Sequence, residues 1–513
     1  MSHSLAAATD RWREEMVALG FSDDGEQLRG SVRWVGSGGG PATARVGITP
    51  TPAFPFAPPQ VLILDAGARL EPTFHVDENG APCLWEDEWP VDEAPWRNPH
   101  ELLARIADWM EQTAAGWPDD DSCDLERYLE QDPTALVLYD ASALVFDTPV
   151  RTTIGPTSGT VTVTAERRRI RDVDGRRRSR KNNRLAWVAD IGVVTRPLRS
   201  WNDVAAALDH RATEVDRLIS FGVVSLLLLR YTHGGAPGAL ALRVRRAAAD
   251  IDVVACESAD TSAATRVMRA GPAAPQLADV PIAVVGCGAI GSFAADLLFR
   301  SGARYLTLVD GERLRPGNIV RHLARVEHVG RPKTEAVRAC LSGVDPDVSR
   351  VRTRGPLYDL DDAVALVRGH QVVLDATGSA RASSLLATAA DRVGRELGHT
   401  VVSACVQRDG DVLRVDRMPQ RRSEAHLPAL PLLDDTTGLR ERGCGSPVSP
   451  TPPGAVVAAA GLALRVVLDE ATRECALPAS VVQVQSPQPE PPYHHRGEIT
   501  SADSRDTTHA AAS

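Results

Sequence analysis

The sequence has no paired cysteine framework: its eight cysteines are scattered at unlike spacings, and no Cys-x-x-Cys occurs. A disulfide-stapled secreted scaffold is therefore not expected, and the pattern fits a reducing cytoplasm in which single thiols serve as chemical tools. Without those pairs no structural zinc is expected either. Long apolar runs are missing too; the fullest, around residues 221–229, is too short to span a bilayer. Residues 1–10 lack a basic segment followed by an apolar one, so no signal peptide is apparent. There is no surplus of basic charge: the net charge of −10 argues against nucleic-acid binding over the whole surface. These absences predict a cytoplasmic protein with neither a membrane nor nucleic acid as partner.

What is present is enough for ordinary cores. The chain has 513 residues, 43% of them apolar, and such a length suggests about three domains. The most informative stretch runs over residues 281–333. It opens as an apolar strand, turns at Gly286-Cys287-Gly288-Ala289-Ile290-Gly291 and continues as a helix. Glycines at these spacings let the backbone turn tightly and approach a polyphosphate, whose charge the first helical N–H groups then face. Asp310 ends the following strand and is placed to accept from ribose hydroxyls.

A GxGxxG alone favours nicotinamide or flavin binding. The tail of the motif shifts that balance, because Asn318, Arg321 and Lys333 supply an amide and two cations downstream of the acidic strand end. A dinucleotide oxidoreductase has no particular need of them. An enzyme that splits ATP between its α- and β-phosphates does, since charge builds on the departing pyrophosphate. A further apolar strand ends at Asp375, a carboxylate placed to hold Mg²⁺ on those phosphates.

Taken in order, Gly286 to Gly291, Asp310, Asn318 with Arg321, Lys333, and Leu374 with Asp375 resemble the adenylation domain shared by ThiF, MoeB and the ubiquitin-activating enzymes. The resemblance covers residues 263–477 and implies a Rossmann-like domain with a mostly parallel sheet, with ATP and Mg²⁺ as cofactors. Gly378 and Ser379 stand where that family often carries a second acidic residue. An arginine before the first strand reaches the partner's ATP site in family dimers; Arg266 or Arg269 is the candidate here, which implies a homodimer.

At the N-terminal end, residues 5–19 have the spacing of an amphipathic helix, and strand-like pieces follow at 31–35, 44–48 and 60–64. A proline-rich connection lies between the last two. Then come His75, Asn79, Gly80 and Cys83-Leu84, and Asn98-Pro99 opens a second helix with Glu101 at the capping-box position. This order resembles a ubiquitin-conjugating domain. By that resemblance Cys83 carries a thioester and His75 or Asn79 steadies the oxyanion. The His-Pro-Asn signature of that family is not intact, because Val76 follows His75.

The middle region carries no chemical motif. Residues 160–164 read as a strand, the arginine-rich run at 167–181 as a hairpin turning at Asp174-Gly175, and 203–218 as a helix ahead of an apolar run at 223–231. Two cysteines compete for the activating thiol. Cys405 lies on an alternating strand, whereas Cys444 lies in a glycine-flanked loop beside Arg442, which favours both substrate approach and the thiolate. Cys287, inside the glycine turn, reads as a small filler. The last residues, rich in Pro, Ser, Asp and Ala, read as a flexible tail.

The expectation is an α/β chain of four parts: an α+β ubiquitin-conjugating-like domain (1–135), an α+β linker domain (136–260), the adenylation domain (261–485) and the tail (486–513). Its function would be activation of a protein C-terminal carboxylate, that of a ubiquitin-like modifier or of another protein's C-terminal tail, with thioester transfer from Cys444 to Cys83 and on to an amine of a target protein. Fusions of this kind occur in antiphage conjugation operons. The alternatives are a sulfur-carrier adenylyltransferase with a docking domain, an NAD-dependent oxidoreductase, and a non-catalytic binding protein.

Overall fold

A computed structural model describes residues 2–36, 38–68, 70, 74–76, 80–85, 90, 93–117, 125–155, 159–168, 185–248, 250–421, 424–431 and 449–501. The chain divides into two compact units, Met1–Ser262 and Ala263–Ser513.

In the first unit, helix α1 (Ser2–Ala18) and helix α2 (Pro99–Ala115) accompany a four-stranded antiparallel sheet in the order β1 (Ser22–Asp23), β2 (Leu28–Val35), β3 (Pro41–Thr49), β4 (Gln60–Asp65). The sequence predicts α2 closely. Asn98 accepts the His100 N–H at 3.0 Å and donates its amide to Glu101 at 3.1 Å, and Gly116, at φ 82°, ends the helix in the left-handed conformation. Leu102, Ile106, Trp109 and Met110 then turn one face onto Trp12, Met16, Val32 and Ile48.

The rest of that unit is a closed barrel, which the sequence does not announce. Its strands are β5 (Gln131–Tyr139), β6 (Thr148–Ile154), β7 (Thr160–Arg167), β8 (Leu185–Val193), β9 (Val224–His233), β10 (Ala236–Ala247) and β11 (Asp250–Asp260). Around the barrel they run β10-β11-β5-β7-β6-β8-β9. The single helix expected over 203–218 is two, α3 (Trp201–Leu208) and α4 (Ala212–Ser220), joined by a 3₁₀ turn. Their apolar faces cover the outside of β8 to β11, so Leu227 and Leu229 are buried outward while Leu226 and Leu228 are buried inward. Burial on both faces explains the unbroken apolar run there. The expected hairpin at Asp174-Gly175 lies outside the described residues.

The second unit begins with short helices α5 (Ala263–Met268) and α6 (Ala274–Leu277). Its sheet is built from β12 (Ile282–Val285), β13 (Leu306–Val309), β14 (Arg352–Arg354), β15 (Val372–Asp375), β16 (Thr400–Gln407), β17 (Val412–Met418), β18 (Ser480–Val484) and β19 (Gly497–Thr500). The order is β14-β13-β12-β15-β16-β17-β18-β19; the first five strands are parallel, and the last three continue antiparallel. Helices α7 (Ala289–Arg300) and α8 (Lys333–Ser342) and the helix Pro453–Ala471 flank it. The chain leaves β12 toward β13 on one side and later places β15 on the other. The crevice beyond the carboxyl ends of β12 and β15 is therefore a topological switch point, where ligands of such sheets bind.

The expected tail at 486–513 departs from the structure over its first half. Tyr493 is 1% exposed and donates its hydroxyl to the Pro428 carbonyl, and Gly497–Thr500 pairs antiparallel with β18. One buried aromatic and a strand edge seeking partners outweigh the polar composition. Residues 502–513 lie outside the described ones.

Candidate active site

A cavity of about 700 Å³ occupies the switch point of the second unit, lined among others by Gly286, Gly288, Asp310, Arg321 and Lys333. Five residues chosen from the sequence thus share one crevice. Gly286 has φ 86°, and a Cβ there would meet the Ala376 backbone at 2.8 Å; one on Gly291 would strike the Gly286 carbonyl oxygen at 1.8 Å. Both glycines are required by the protein's own packing. Gly288 is different, because the nearest atom to its added Cβ is Lys333 Nζ at 3.9 Å. Its bare backbone faces the cavity.

The turn is held from two sides. Asp310 Oδ2 accepts the Cys287 N–H at 2.8 Å and its Oδ1 accepts the Glu312 N–H at 2.7 Å. Burial raises this carboxyl above the usual range. On the other side His322, 6% exposed, bridges the Cys287 carbonyl through Nε2 at 2.8 Å, while its Nδ1 accepts the Ala324 N–H at 2.9 Å. Burial lowers the imidazole pKa, so a neutral ring with its proton on Nε2 satisfies both contacts. Cys287 is fully buried and burial pushes its thiol far up, in keeping with a filler.

The two cations are already engaged. Lys333 Nζ lies 2.5 Å from Glu312 Oε2, and hydrogen bonding to that ammonium lowers the glutamate pKa. Arg321 Nη1 donates to the Ser449 carbonyl at 2.7 Å and to that of Thr451 at 3.3 Å. Asn318 does not line the cavity; its Oδ1 accepts the Arg315 N–H at 3.0 Å and shapes the 3₁₀ turn that carries Arg321.

Asp375 does not fit the expected role of a Mg²⁺ ligand. It is 1% exposed and outside the cavity lining. Oδ1 accepts from the Thr377 N–H (3.1 Å) and hydroxyl (2.8 Å), Oδ2 from the Ser383 (2.5 Å) and Ser403 (3.2 Å) hydroxyls. A carboxylate offers about four lone-pair positions, and here all are filled. Its work in this structure is to fix the loop after β15, and among the described residues no cluster of three metal-ligating side chains occurs. That loop supplies Thr377, Ser379 and Arg381 to the cavity. Sequence reasoning missed these three, although their place just past a strand end at the switch point is the signal that finds them.

Of the thiols, Cys405 lines the cavity, but burial raises its pKa to about 11. Cys444 and Asn79 lie outside the described residues. Cys83 and His75 belong to the first unit. Cys83 is half-buried and its N–H donates to the His75 carbonyl at 2.8 Å, beside the antiparallel bridge of Val76 and Pro82. The same carbonyl accepts Trp109 Nε1 at 3.0 Å, and the His75 ring packs on Trp117 with centroids 4.1 Å apart. Helix α2 thus anchors both residues. Arg266 pairs within its own chain with Asp345, at 3.1 Å, whereas Arg269 is exposed.

Residues 264–494 match the model of the ThiF family. A 131-residue stretch, 26% of this chain, is 34% identical to ubiquitin-like modifier-activating enzyme 5 of Oryza sativa subsp. japonica. Another, 28% of this chain, is 27% identical to ATP-dependent ubiquitin transferase-like protein Cap2 of Vibrio cholerae. The aligned stretches span 27% and 25% of those relatives' own lengths. Among solved structures, E. coli MccB with ATP matches at 14% identity and a TM-score of 0.32, over 44% of this chain and 65% of that one. The matched residues 264–494 lie in the second unit and include the whole lining of the crevice. Among the described residues no helix is long and apolar enough to cross a membrane.

Proposed function

We propose that the chain activates the C-terminal carboxylate of a ubiquitin-like protein with ATP and passes the acyl group between its own thiols to an amine of a target. The observation that carries the reading is the convergence of Gly288, Asp310, Arg321 and Lys333 on one crevice of nucleotide size. A carboxylate oxygen attacks the α-phosphorus and the bond to the β-phosphate oxygen breaks. Lys333 and Arg321 neutralise the departing pyrophosphate, which requires Lys333 to exchange Glu312 for phosphate. A thiolate at Cys444 then attacks the acyl carbon and AMP leaves. The thioester moves to Cys83 by thiol exchange, and an amine takes the acyl group from there.

The raised pKa of Cys405 supports Cys444 in that role, since the thiolate is the nucleophile. The anchored loop of His75 and Cys83 supports Cys83 as second carrier, because a thioester needs a fixed approach. Similarity to a ubiquitin-like modifier-activating enzyme and to a ubiquitin transferase-like protein favours this reading over sulfur-carrier activation. Arg269 is the residue proposed to reach a second copy.

Thermal unfolding with nucleotide tests the central step. ATP at a hundred times its Kd stabilises by about 2.7 kcal/mol, so Tm should rise with ATP, stay unchanged with NAD⁺, and lose the ATP response in Lys333→Ala and Arg321→Ala. A rise with NAD⁺ and none with ATP would overturn the proposal.

A further inference from the structure

The barrel of the first unit holds a cavity of about 1060 Å³ at one end, in a region to which no chemistry has been attached. Its origin is legible in the strand pairing. Cys256 pairs with Asp132, but the next residue, Glu257, pairs with Leu136, so 133–135 loop out of the wall between β5 and β11. Facing them, Gly159 accommodates the loop, since a Cβ there would lie 2.0 Å from the Thr134 carbonyl oxygen.

The inner surface is small and apolar. Val137, Leu226 and Cys256 belong to the cluster buried inside the barrel, and they line the cavity together with Val161 and Val254. Barrels of this size either fill with side chains or hold one small ligand. Among the described residues no aromatic side chain lines the cavity, and Leu226 is the bulkiest of these inward residues.

The mouth carries two ion pairs on the same inward face. Ala241 points inward, so on β10 the alternation places Arg243 and Arg245 inward too; on β11 Cys256 does the same for Asp252. Arg243 pairs with Asp132, and Arg245 Nη2 lies 2.7 Å from Asp252. The pairs are lopsided. Asp132, with 13% of its side chain exposed, also accepts the Thr134 N–H at 3.0 Å and hydroxyl at 2.6 Å. Arg243 and Arg245, 51% and 77% exposed, each carry five donors, and one carboxylate takes two at most. Each guanidinium therefore keeps donors beyond those its aspartate accepts, and both line the cavity mouth.

We propose that this barrel end binds an amphipathic carboxylate, its hydrocarbon body against Val137, Val161 and Val254 and its carboxylate on Arg243, with Arg245 at the rim. Pockets of this volume, apolar with a few convergent polar groups, suit such ligands. The site lies wholly in the first unit, so it stands or falls independently of nucleotide binding in the second.

Calorimetric titration of the full chain with decanoate, decylammonium and decan-1-ol tests it. Decanoate should bind saturably at one per chain, the alcohol about tenfold more weakly, as loss of a charged hydrogen bond implies, and the ammonium not at all. Val254→Trp, which fills the cavity, should abolish decanoate binding. The paired change Arg243→Gln with Asp132→Asn, which leaves no lone charge, should weaken it about tenfold, with circular dichroism reporting retained fold. Arg245→Gln, at the exposed rim, gives a second reading if the paired variant does not fold. Absence of saturable binding, equal binding of the three probes, or binding that survives Val254→Trp would overturn the proposal and leave the ion pairs as closures of the barrel wall.

Discussion

Gly288 separates two kinds of glycine that look alike in a motif. At Gly286 and Gly291 a methyl group collides with backbone at 2.8 Å and 1.8 Å. Gly286→Ala and Gly291→Ala should therefore each destabilise the fold, by roughly 1–3 kcal/mol for an overpacked site. A methyl at Gly288 meets only ordinary contact, so Gly288→Ala should unfold in urea within about 0.5 kcal/mol of the parent. Its cost should fall on the ligand, whose phosphates would approach that backbone. ATP-dependent stabilisation that is unchanged in Gly288→Ala would remove this position from the proposed phosphate cradle. Asp310 and His322 make the same point, because both grip the Cys287 peptide group. From the sequence, Asp310 is expected at the ribose and His322 carries no expected role. A strand-end carboxylate is visible in a sequence, whereas its partner N–H depends on how the turn folds back.

At the scale of elements, β12 and β15 are legible because both faces are buried, leaving short apolar runs with no alternation. Helix α2 is legible from its cap. The barrel is not, for a physical reason: closure rests on parallel pairings between distant segments, such as Gln131 with Ala255 and Leu185 with Val224. No local pattern encodes a register set between segments that far apart in sequence. The antiparallel extension of the second sheet is hidden similarly, and charge holds part of it together. Arg417, 2% exposed, pairs with Glu470 at 3.1 Å; Arg421 reaches the same carboxylate at 2.5 Å, and Thr400 donates to it at 2.9 Å. These contacts tie the helix Pro453–Ala471 to β16, β17 and the chain just beyond β17. Glu470→Ala would leave the buried Arg417 guanidinium with Glu424 as its remaining carboxylate, so a loss of about 3 kcal/mol is expected from urea unfolding. Glu470→Gln keeps the volume and two hydrogen-bonding atoms, and should lose less. An equal loss in both variants would assign the stability to the carboxylate's charge, and no loss in Glu470→Gln would assign it to packing and neutral hydrogen bonding.

The chain carries a crevice in one unit and the His75–Cys83 loop in the other, and the unit with the crevice is the more legible. Its motif residues are close in sequence and stand at strand ends, where topology alone gathers them. The N-terminal reading rested on residue order, and the helix–sheet–helix succession it expected is present in α1, β1 to β4 and α2. The division into compact units yields a prediction at this scale. All the residues lining the crevice at the switch point fall within Ala263–Ser513, as does the cluster beneath it. A unit with its own core is expected to fold alone. Residues 263–513 produced alone should unfold cooperatively and gain the same Tm increment from ATP as the full chain. Acyl transfer to an amine should disappear from this fragment, because Cys83 is absent, and the full chain carrying Cys83→Ala should lose it equally while keeping its response to ATP. Conjugate formation that persists in either protein would remove Cys83 from the transfer sequence and leave activation as the chemistry of the second unit alone.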